Sequence, residues 1–441
     1  MFRVLCVGGG HVGLPLSLRF WQAGNDVTVL DIDPGKMEAV RRGVMPFMEQ
    51  GCDQVLADAS RSDRFRAMTY ADSDLDGEIA AADHVVMTLG TPLGTDYTFR
   101  FDQYFHVLDR LVPHLANGVT LVVRSTVAPH FTRNVISARV AAARDWVPGR
   151  DFYVAFCPER LVQGRALADI DDLPEIIGAD DPETASRAEA LFLTLGRDKV
   201  IHHVSTVEAE LSKLFLNTFR YTLFGLANEF AQISEQYGAD LYAILEAANG
   251  GYPRGGIPRP GPSRGPCLGK DTATLAFAST TGLIPHAAIK TNENLVIRVA
   301  RDLSASLGSL VNRRISVLGR AFKADTDDVR DNLTDPLINL LDREGAVTAV
   351  YDPFVRGCDD VRVLQGSDAV VLMSAHAVIA GWTQDDVLRL TARRRDDLFV
   401  YDLWNVWPWA DRILGRGSDN REDSGNGRVG LADARGRAAP A

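Results

Sequence analysis

Residues 2–13, FRVLCVGGGHVG, restrict the fold more than any other stretch of the chain. A short apolar, strand-like run ends on three glycines and passes straight into a helical pattern, with the spacing Gly8-x-Gly10-x-x-Gly13. Glycine at those three places permits a tight turn, close backbone approach to a pyrophosphate, and packing of strand against helix. An anion there sits over the helix N-terminus, where unpaired N–H groups and the helix dipole favour negative charge. A second strand pattern, DVTVLDID, then puts Asp31 eighteen residues after Gly13. A carboxylate at that distance accepts hydrogen bonds from both ribose hydroxyls and repels a 2′-phosphate, so the expected dinucleotide is NAD rather than NADP. Asp33 and Lys36 are the alternative ribose contacts.

The rhythm of the chain extends this start into three folded regions and a tail. FRVLCV, DVTVLDI, HVVMTL (84–89) and TLVVRST (120–126) read as strands separated by turn or helix signals, and DFYVAFCP and EIIGA (175–179) carry the pattern to about residue 200. Alternation of that kind predicts a parallel, doubly wound sheet, an NAD-binding Rossmann domain over 1–200. From 205 the character changes: VEAELSKLFLNTFRYTLFGLANEFAQISEQYG has apolar residues at helical spacing, among them Leu211, Leu214, Phe215 and Phe219. This predicts a long helix within a helical region, 201–308, suited to connecting domains and to pairing two copies of the chain. A second helical block follows from about 271 to 308. RRISVLGRAF (313–322) opens another strand-turn-helix pattern, and TAVYDPFV, DAVVLMSA and LFVYDLW continue an α/β rhythm, giving a second Rossmann-like domain over 309–415. The tail 416–441 is small, polar and glycine-rich and is expected to be disordered.

Composition excludes several classes. A formal net charge of −11 argues against broad nucleic-acid binding. No apolar run reaches the length of about 18–20 residues that a membrane span needs. The five cysteines are odd in number and scattered, the pattern of a reduced cytoplasmic protein without a disulfide framework or metal-ligand spacing. Cys6, inside an apolar strand, reads as core. Cys267 stands apart: in GPSRGPCLGKD (261–271) it is the one strong nucleophile of a loop poor in side chains, with Lys270 and Asp271 close behind.

Eight ordered blocks resemble one family: GGGHVG with LDID, TPL (91–93), RSTVAP (124–129), CPERLVQG (157–164), AELSKLFLNTF (209–219), PCLGKD (266–271), GRAFKADTDDVRD (319–331) and YDP (351–353). The chain resembles the UDP-glucose/GDP-mannose dehydrogenases, NAD-dependent enzymes that oxidise a nucleotide-sugar CH2OH to a carboxylate. The resemblance implies two Rossmann-like domains joined by a dimerising helical connector. It also implies a homodimer, a nucleotide-sugar substrate, and NAD contacts at Gly8, Gly10, His11, Val12, Gly13, Asp31, Lys36, Thr91, Ser125, Thr126 and Arg330.

Oxidation of an alcohol to an acid removes four electrons, so two NAD are reduced in succession. A thiolate holds the reactive aldehyde as a thiohemiacetal, and the second hydride transfer leaves a thioester that water cleaves. The resemblance gives that role to Cys267. Lys213 and Asn217, four residues apart and therefore on one helix face, can stabilise the alkoxide and later oxyanions. Glu210 shares the face and reads as structural. Asp271 is either the base of the first oxidation, through water or with Lys213, or an N-cap for TATLAFA. Glu159 is the implied base for the thioester-hydrolysing water, with Thr126 holding that water or the nicotinamide. Lys323, Arg254 and Gly265 are the further substrate contacts that the resemblance implies, with Arg254 reaching from a partner subunit.

Three departures stand out. The family's loop before the cysteine is richer in glycine, roughly G-x-G-x-G-G-x-C, whereas Arg264 and Pro266 stand here. The late Asp-x-Arg-Asn block is Asp402-Leu403-Trp404-Asn405, which removes a phosphate contact. CPER, where UDP-glucose and GDP-mannose enzymes have NPEF, points to the branch acting on UDP-N-acetylhexosamines, with Arg160 suited to an acetamide carbonyl. Two other readings compete: a two-electron β-hydroxy-acid dehydrogenase, and a non-catalytic nucleotide-sugar-binding protein. Cys267 and the 313–410 region weigh against the first; Cys267, Lys213, Asn217 and Glu159 together weigh against the second.

Overall fold

The computed structural model describes residues 1–94 and 99–417. The chain divides into two compact units between Leu216 and Asn217. In the first, strands β1 (Arg3–Val7), β2 (Asp26–Leu30), β3 (Phe65–Met68), β4 (His84–Met87), β5 (Thr120–Val123), β6 (Tyr153–Phe156), β7 (Glu175–Gly178) and β8 (Ile201–Val204) form one sheet in the order β3-β2-β1-β4-β5-β6-β7-β8. Its pairings are parallel except for β6 with β7, which run antiparallel through Phe156 and Gly178. The order reverses at β1, so the crevice outside the carboxyl ends of β1 and β4 is the place where such a sheet takes a ligand.

Alternation along each strand fills a core on either side of this sheet. Leu5, Val7, Val85, Met87, Leu121 and Val123 enter one core, whereas Val4, Cys6, Val27, Val29, Val86 and Val122 enter the other. Burying each such side chain contributes about 1.5–3 kcal/mol, so the sheet is fixed from both faces. Cys6 is core as the sequence suggests, and burial pushes its thiol up to about 12.

In the second unit β9 (Arg314–Leu318), β10 (Val347–Tyr351), β11 (Ala369–Leu372), β12 (Phe399–Asp402) and β13 (Arg412–Ile413) make a parallel sheet in the order β10-β9-β11-β12-β13. This too is doubly wound, with its reversal at β9. The expected turn after β9 is longer than RRISVLGRAF implies: Gly319 at φ +85° starts a loop that reaches the next helix only at Thr334. That loop carries Lys323 and Arg330.

Helix α1 (Gly13–Gln22) follows the glycine turn, and α2 (Thr206–Gln236) is the long helix, 31 residues without a break and about 46 Å in length. The second helical block is two helices, α3 (Leu268–Ala278) and α4 (Leu283–Leu307), because Gly282 takes a left-handed conformation (φ +55°) that no continuous helix passes through. Arg416 and Gly417, read as tail, are held: Gly417 N–H donates to Ala239 and the Arg416 guanidinium pairs with Asp240 at 3.2 Å. The remainder of the expected disordered tail, 418–441, lies outside the described residues.

Candidate active site

The glycine turn after β1 has the form that the spacing requires. Gly8 sits at φ +106°, and a Cβ there would meet the Thr88 hydroxyl at 2.8 Å. A Cβ on Gly13 would lie 1.8 Å from the Gly8 carbonyl oxygen, so strand and helix approach as closely as backbone allows. Gly10 faces open space, with no atom within 4 Å of a Cβ built on it. No side chain caps α1, whose N-cap is Val12; in its first turn Leu14 N–H bonds the Gly10 carbonyl at 3.0 Å and Pro15 carries no N–H. The His11 ring leans on Phe47 at 4.0 Å, and its Nδ1 is 2.9 Å from the Gln163 amide.

Asp31 stands at the end of β2 beside this turn. Its carboxylate accepts from Gly9 N–H at 2.7 Å and Asp33 N–H at 3.0 Å, and pairs with the Lys36 ammonium at 3.0 Å. Asp31 and Lys36 are thus brought together. Asp33 caps the helix Pro34–Arg41, its side chain accepting from Lys36 N–H. At the end of β4 and β5, Thr91 donates to the Thr126 carbonyl at 2.7 Å, and the Ser125 hydroxyl reaches the Met87 carbonyl at 3.4 Å.

Glu159 follows β6 and is buried. One oxygen accepts from Leu161 N–H at 2.6 Å; the other takes both Nε and Nη2 of Arg124, at 3.2 and 3.0 Å. Arg160 is engaged within its own unit. Its guanidinium donates to the backbone carbonyl of Pro174, because β7 begins alongside and leaves that group to be satisfied. Lys213 is half-buried on α2, one turn after Glu210. Glu210 is structural, as expected: fully buried, it accepts the backbone N–H groups of His130 and Thr132 at 2.5 and 2.9 Å.

In the second unit Asn217 donates to Asp271 at 2.6 Å, and the Lys270 ammonium lies 2.8 Å from the other Asp271 oxygen. Asp271 is wholly buried. It stands in the first turn of α3, whose N-cap is Cys267; its N–H bonds the Cys267 carbonyl at 2.9 Å, so Asp271 is not the cap of that helix. Cys267 is exposed at the N-terminus of an 11-residue helix and spends no side-chain bond on capping it. A helix start of this kind favours negative charge.

The loop leading to Cys267 is held on three sides. Asn228 of α2 closes a pair of hydrogen bonds on Gly261, at 2.9 and 3.1 Å. Trp404 lies flat enough against Gly261 that a Cβ would meet its ring at 2.7 Å, and Gly265 is covered by Phe322 in the same way, at 2.5 Å. Gly265 N–H donates to the Asp331 carbonyl at 3.0 Å, and the Arg264 guanidinium pairs with the Asp331 carboxylate at 2.8 Å. Arg264 is therefore a brace within the unit. Arg330 makes a forked pair with buried Asp328, its closest contact 2.6 Å. The hydrogen bond to Asp328 holds the Arg330 guanidinium in its protonated form, and the nearby Cys267 sulfur adds to that in smaller measure. Lys323 is half-buried in the same loop. Arg254 is not drawn into this group: it lies in an exposed loop, over the ring of Tyr252 at 5.2 Å.

Three descriptions of one family match the chain in order: the NAD binding domain of the UDP-glucose/GDP-mannose dehydrogenase family over residues 2–196, its central domain over 207–294, and its UDP binding domain over 316–408. A UDP-N-acetyl-D-mannosamine dehydrogenase of Pyrococcus horikoshii is 30% identical over 389 residues, 85% of this chain and 89% of that one. The chain belongs to the UDP-glucose/GDP-mannose dehydrogenase family. A UDP-glucose 6-dehydrogenase of Bacillus subtilis is 29% identical over 369 residues, 80% of this chain and 76% of that protein. The solved structure of the P. horikoshii UDP-D-ManNAc dehydrogenase superposes with a TM-score of 0.85 at 26% identity, covering 94% of this chain and all of that one.

As a member of this family the protein is an NAD-dependent nucleotide-sugar dehydrogenase, and its first unit fits that cofactor. The open face at Gly10 and the carboxylate of Asp31 at the end of β2 suit the pyrophosphate and ribose of a dinucleotide. Lys36 adds a cation beside Asp31. Arg124, Glu175, Asn228, Asp328 and Asp331 escaped assignment from sequence. Arg124 was visible in RSTVAP and Glu175 in EIIGA, but only pairing in space gives either a role.

Proposed function

We propose that the protein oxidises the C6 alcohol of a UDP-N-acetylhexosamine, of the UDP-N-acetylmannosamine kind, to the uronic acid in two steps at Cys267. The observation that carries the reading is the Asn217–Asp271–Lys270 group, in which Asn217 of α2 meets buried Asp271 in the first turn of the helix that Cys267 caps. It supplies an anion, an amide and an ammonium beside the one exposed thiol of the loop, the set that alcohol deprotonation and oxyanion stabilisation require. The P. horikoshii relative, at 30% identity, supports the sugar class.

NAD, when bound, would supply the hydride acceptor, one molecule for each of the two oxidations. Asp271, with Lys213 and Lys270 as cations, takes the proton of the C6 hydroxyl, directly or through water. Cys267 adds as thiolate to the aldehyde, forming a C–S bond and an alkoxide that Asn217 and Lys213 stabilise. Loss of the second hydride leaves the thioester. Water then attacks its carbonyl: a C–O bond forms, the C–S bond breaks with departure of the thiolate, and Glu159 receives the proton of the water, with Thr126 orienting it. Lys323 and Arg254 bind the nucleotide sugar, and Arg330 the cofactor, in this reading.

No helix among the described residues is long and apolar enough to cross a membrane. The cytoplasm is the compartment proposed, supported by the buried thiols Cys6, Cys52 and Cys157. A homodimer is proposed through α2, whose outward side carries Phe219, Leu226 and Ile233 in contact with solvent.

The test is the NADH formed per sugar consumed, across UDP-glucose, UDP-GlcNAc, UDP-ManNAc and GDP-mannose, with Cys267→Ala alongside. Two NADH per UDP-N-acetylhexosamine and no acid formed by Cys267→Ala is the expected result. One NADH, or an unimpaired variant, overturns the thioester route; preference for UDP-glucose or GDP-mannose overturns the sugar class.

A further inference from the structure

Behind Glu159 lies a group of charges that the reaction as written does not use. Arg124 is fully buried at the end of β5 and meets two carboxylates: Glu159 through Nε and Nη2, and Glu175, the first residue of β7, through Nη1 at 3.1 Å. Its guanidinium also rests on the Phe192 ring at 5.0 Å, so it has no freedom to turn to water. Lys199 closes the group. Its ammonium donates to the Ile170 and Leu173 carbonyls at 2.6 and 2.9 Å and lines the same small crevice as Arg124, Glu159 and Glu175. Two cations therefore stand against two carboxylates. Arg160, Asp169 and Asp171 border the group, and the Cys157 thiol faces it from β6 with its proton held on by burial.

A carboxylate tied to one guanidinium by a fork is a poor base, because the cation stabilises it against protonation. Glu159 would be such a carboxylate if Arg124 served it alone. We infer that Glu175 is a positioning residue for the hydrolytic step: by sharing Arg124 it divides the field of that cation, so that Glu159 remains able to take a proton from the attacking water. The inference rests on the reading of Glu159 as the base. Burial opposes a charge on Glu175, while Arg124 favours it, which ties the ionisation of the two carboxylates to one another.

The direction of each change follows from charge. In Glu175→Gln the amide oxygen still accepts from Arg124, but the counter-charge is gone. Arg124 and Lys199 then act on Glu159 together, and it becomes harder to protonate. The acid limb of the kcat–pH profile should move down by about half a unit to one unit, and hydrolysis should slow about three- to tenfold. In Lys199→Met a cation is lost and the limb should move up. Glu175→Asp, which retains the charge, should restore the limb.

The experiment measures three things on the full-length protein with its UDP-N-acetylhexosamine and NAD: steady-state kcat against pH, the pre-steady-state burst of NADH, and the thioester on intact protein by mass spectrometry. Glu175→Gln should accumulate thioester and raise the burst, with the limb displaced downward and that of Lys199→Met displaced upward. Limbs that stay in place in both variants, with only a lowered Tm, would make the group structural and overturn the inference. Glu159→Gln, run in parallel, separates the two readings. If it turns over normally, Glu159 is not the base and both fall. If it stalls as thioester while the limbs of the other variants do not move, only the role of Glu175 falls.

Discussion

Single residues carry the sharpest consequences. Asp31 holds two backbone N–H groups and the Lys36 ammonium and is the proposed ribose acceptor, so Asp31→Ala should raise KM for NAD by about 10- to 100-fold, the loss of one or two charge-assisted hydrogen bonds. KM for the sugar should stay within about twofold, since Asp31 does not serve it; the two constants measured separately check this. Asn217→Ala should do more than remove a donor. It leaves buried Asp271 short of its 2.6 Å partner, and a carboxylate so stranded costs about 1–3 kcal/mol. A Tm lowered by several degrees, together with kcat reduced by about 10²- to 10³-fold, is the expected pair of readings. A kcat loss without a Tm change would mean that Asp271 finds another donor. At this scale the sequence was informative where chemistry restricts residue type: the glycines at 8, 10 and 13 and Asp31 could be picked out by spacing, and Cys267 by its place in a loop poor in side chains together with the family resemblance. It was silent on Arg124 and Glu175, because an arginine at a strand end and a glutamate at a strand start look alike whether they face water or each other.

Elements show why hydropathy misled in one place. The periodic apolar residues of α2 predicted a helix, and a helix forms, but Phe215 and Phe219 are exposed, and the buried side carries polar Glu210, Asn217 and Asn228 beside apolar Leu214 and Tyr221. With about 100° of turn per residue, Glu210, Asn217 and Asn228 share one face, and Phe219, Leu226 and Ile233 lie about 140–200° round from it. The polar side can be buried because each group is satisfied, by loop N–H groups, by Asp271, and by Gly261 and Asn292. Such partners lie tens of residues away and leave no local trace in sequence. A comparable knot stabilises the start of the loop after β9. Asp352 accepts from His376 at 3.0 Å and from the N–H groups of Arg320, Ala321 and Phe354. Burial alone would raise its carboxyl, but the bonds from His376 and from those N–H groups outweigh burial and hold it below the usual carboxylate range. A carboxyl held low in the fold contributes stability above its unfolded value, about 3.9, which is lost as pH falls through the lower, folded one. Asp352→Asn should therefore lower Tm at pH 7 and flatten the fall of Tm below about pH 4, as read by calorimetry from pH 3 to 7. An unchanged acid slope would count against this knot.

For the molecule as a whole, two doubly wound sheets and a long helix were legible in the alternation of patterns, because parallel sheets covered on both faces need continuous apolar strands. The split of the second helical block and the length of the loop after β9 were not, since both hang on backbone conformations at Gly282 and Gly319. Pairing of two copies belongs to this scale. Large apolar residues in a row on a solvent-facing helix are what an interface covers, so Phe219→Asp with Leu226→Asp should shift the protein from dimer to monomer in sedimentation velocity at micromolar concentration. A wild-type protein that already sediments as a monomer would remove that role from α2. The reversed direction of β7 has a consequence of its own. In a sheet whose strands all run one way, each strand delivers only its last residues to the rim where ligands gather, and its first residues are stranded at the far rim. Because β7 meets β6 head to tail, it offers its opening residue to the working rim instead. The orientation of one strand thereby doubles the kinds of position from which this sheet can recruit a charged group, and Glu175 is the one so recruited.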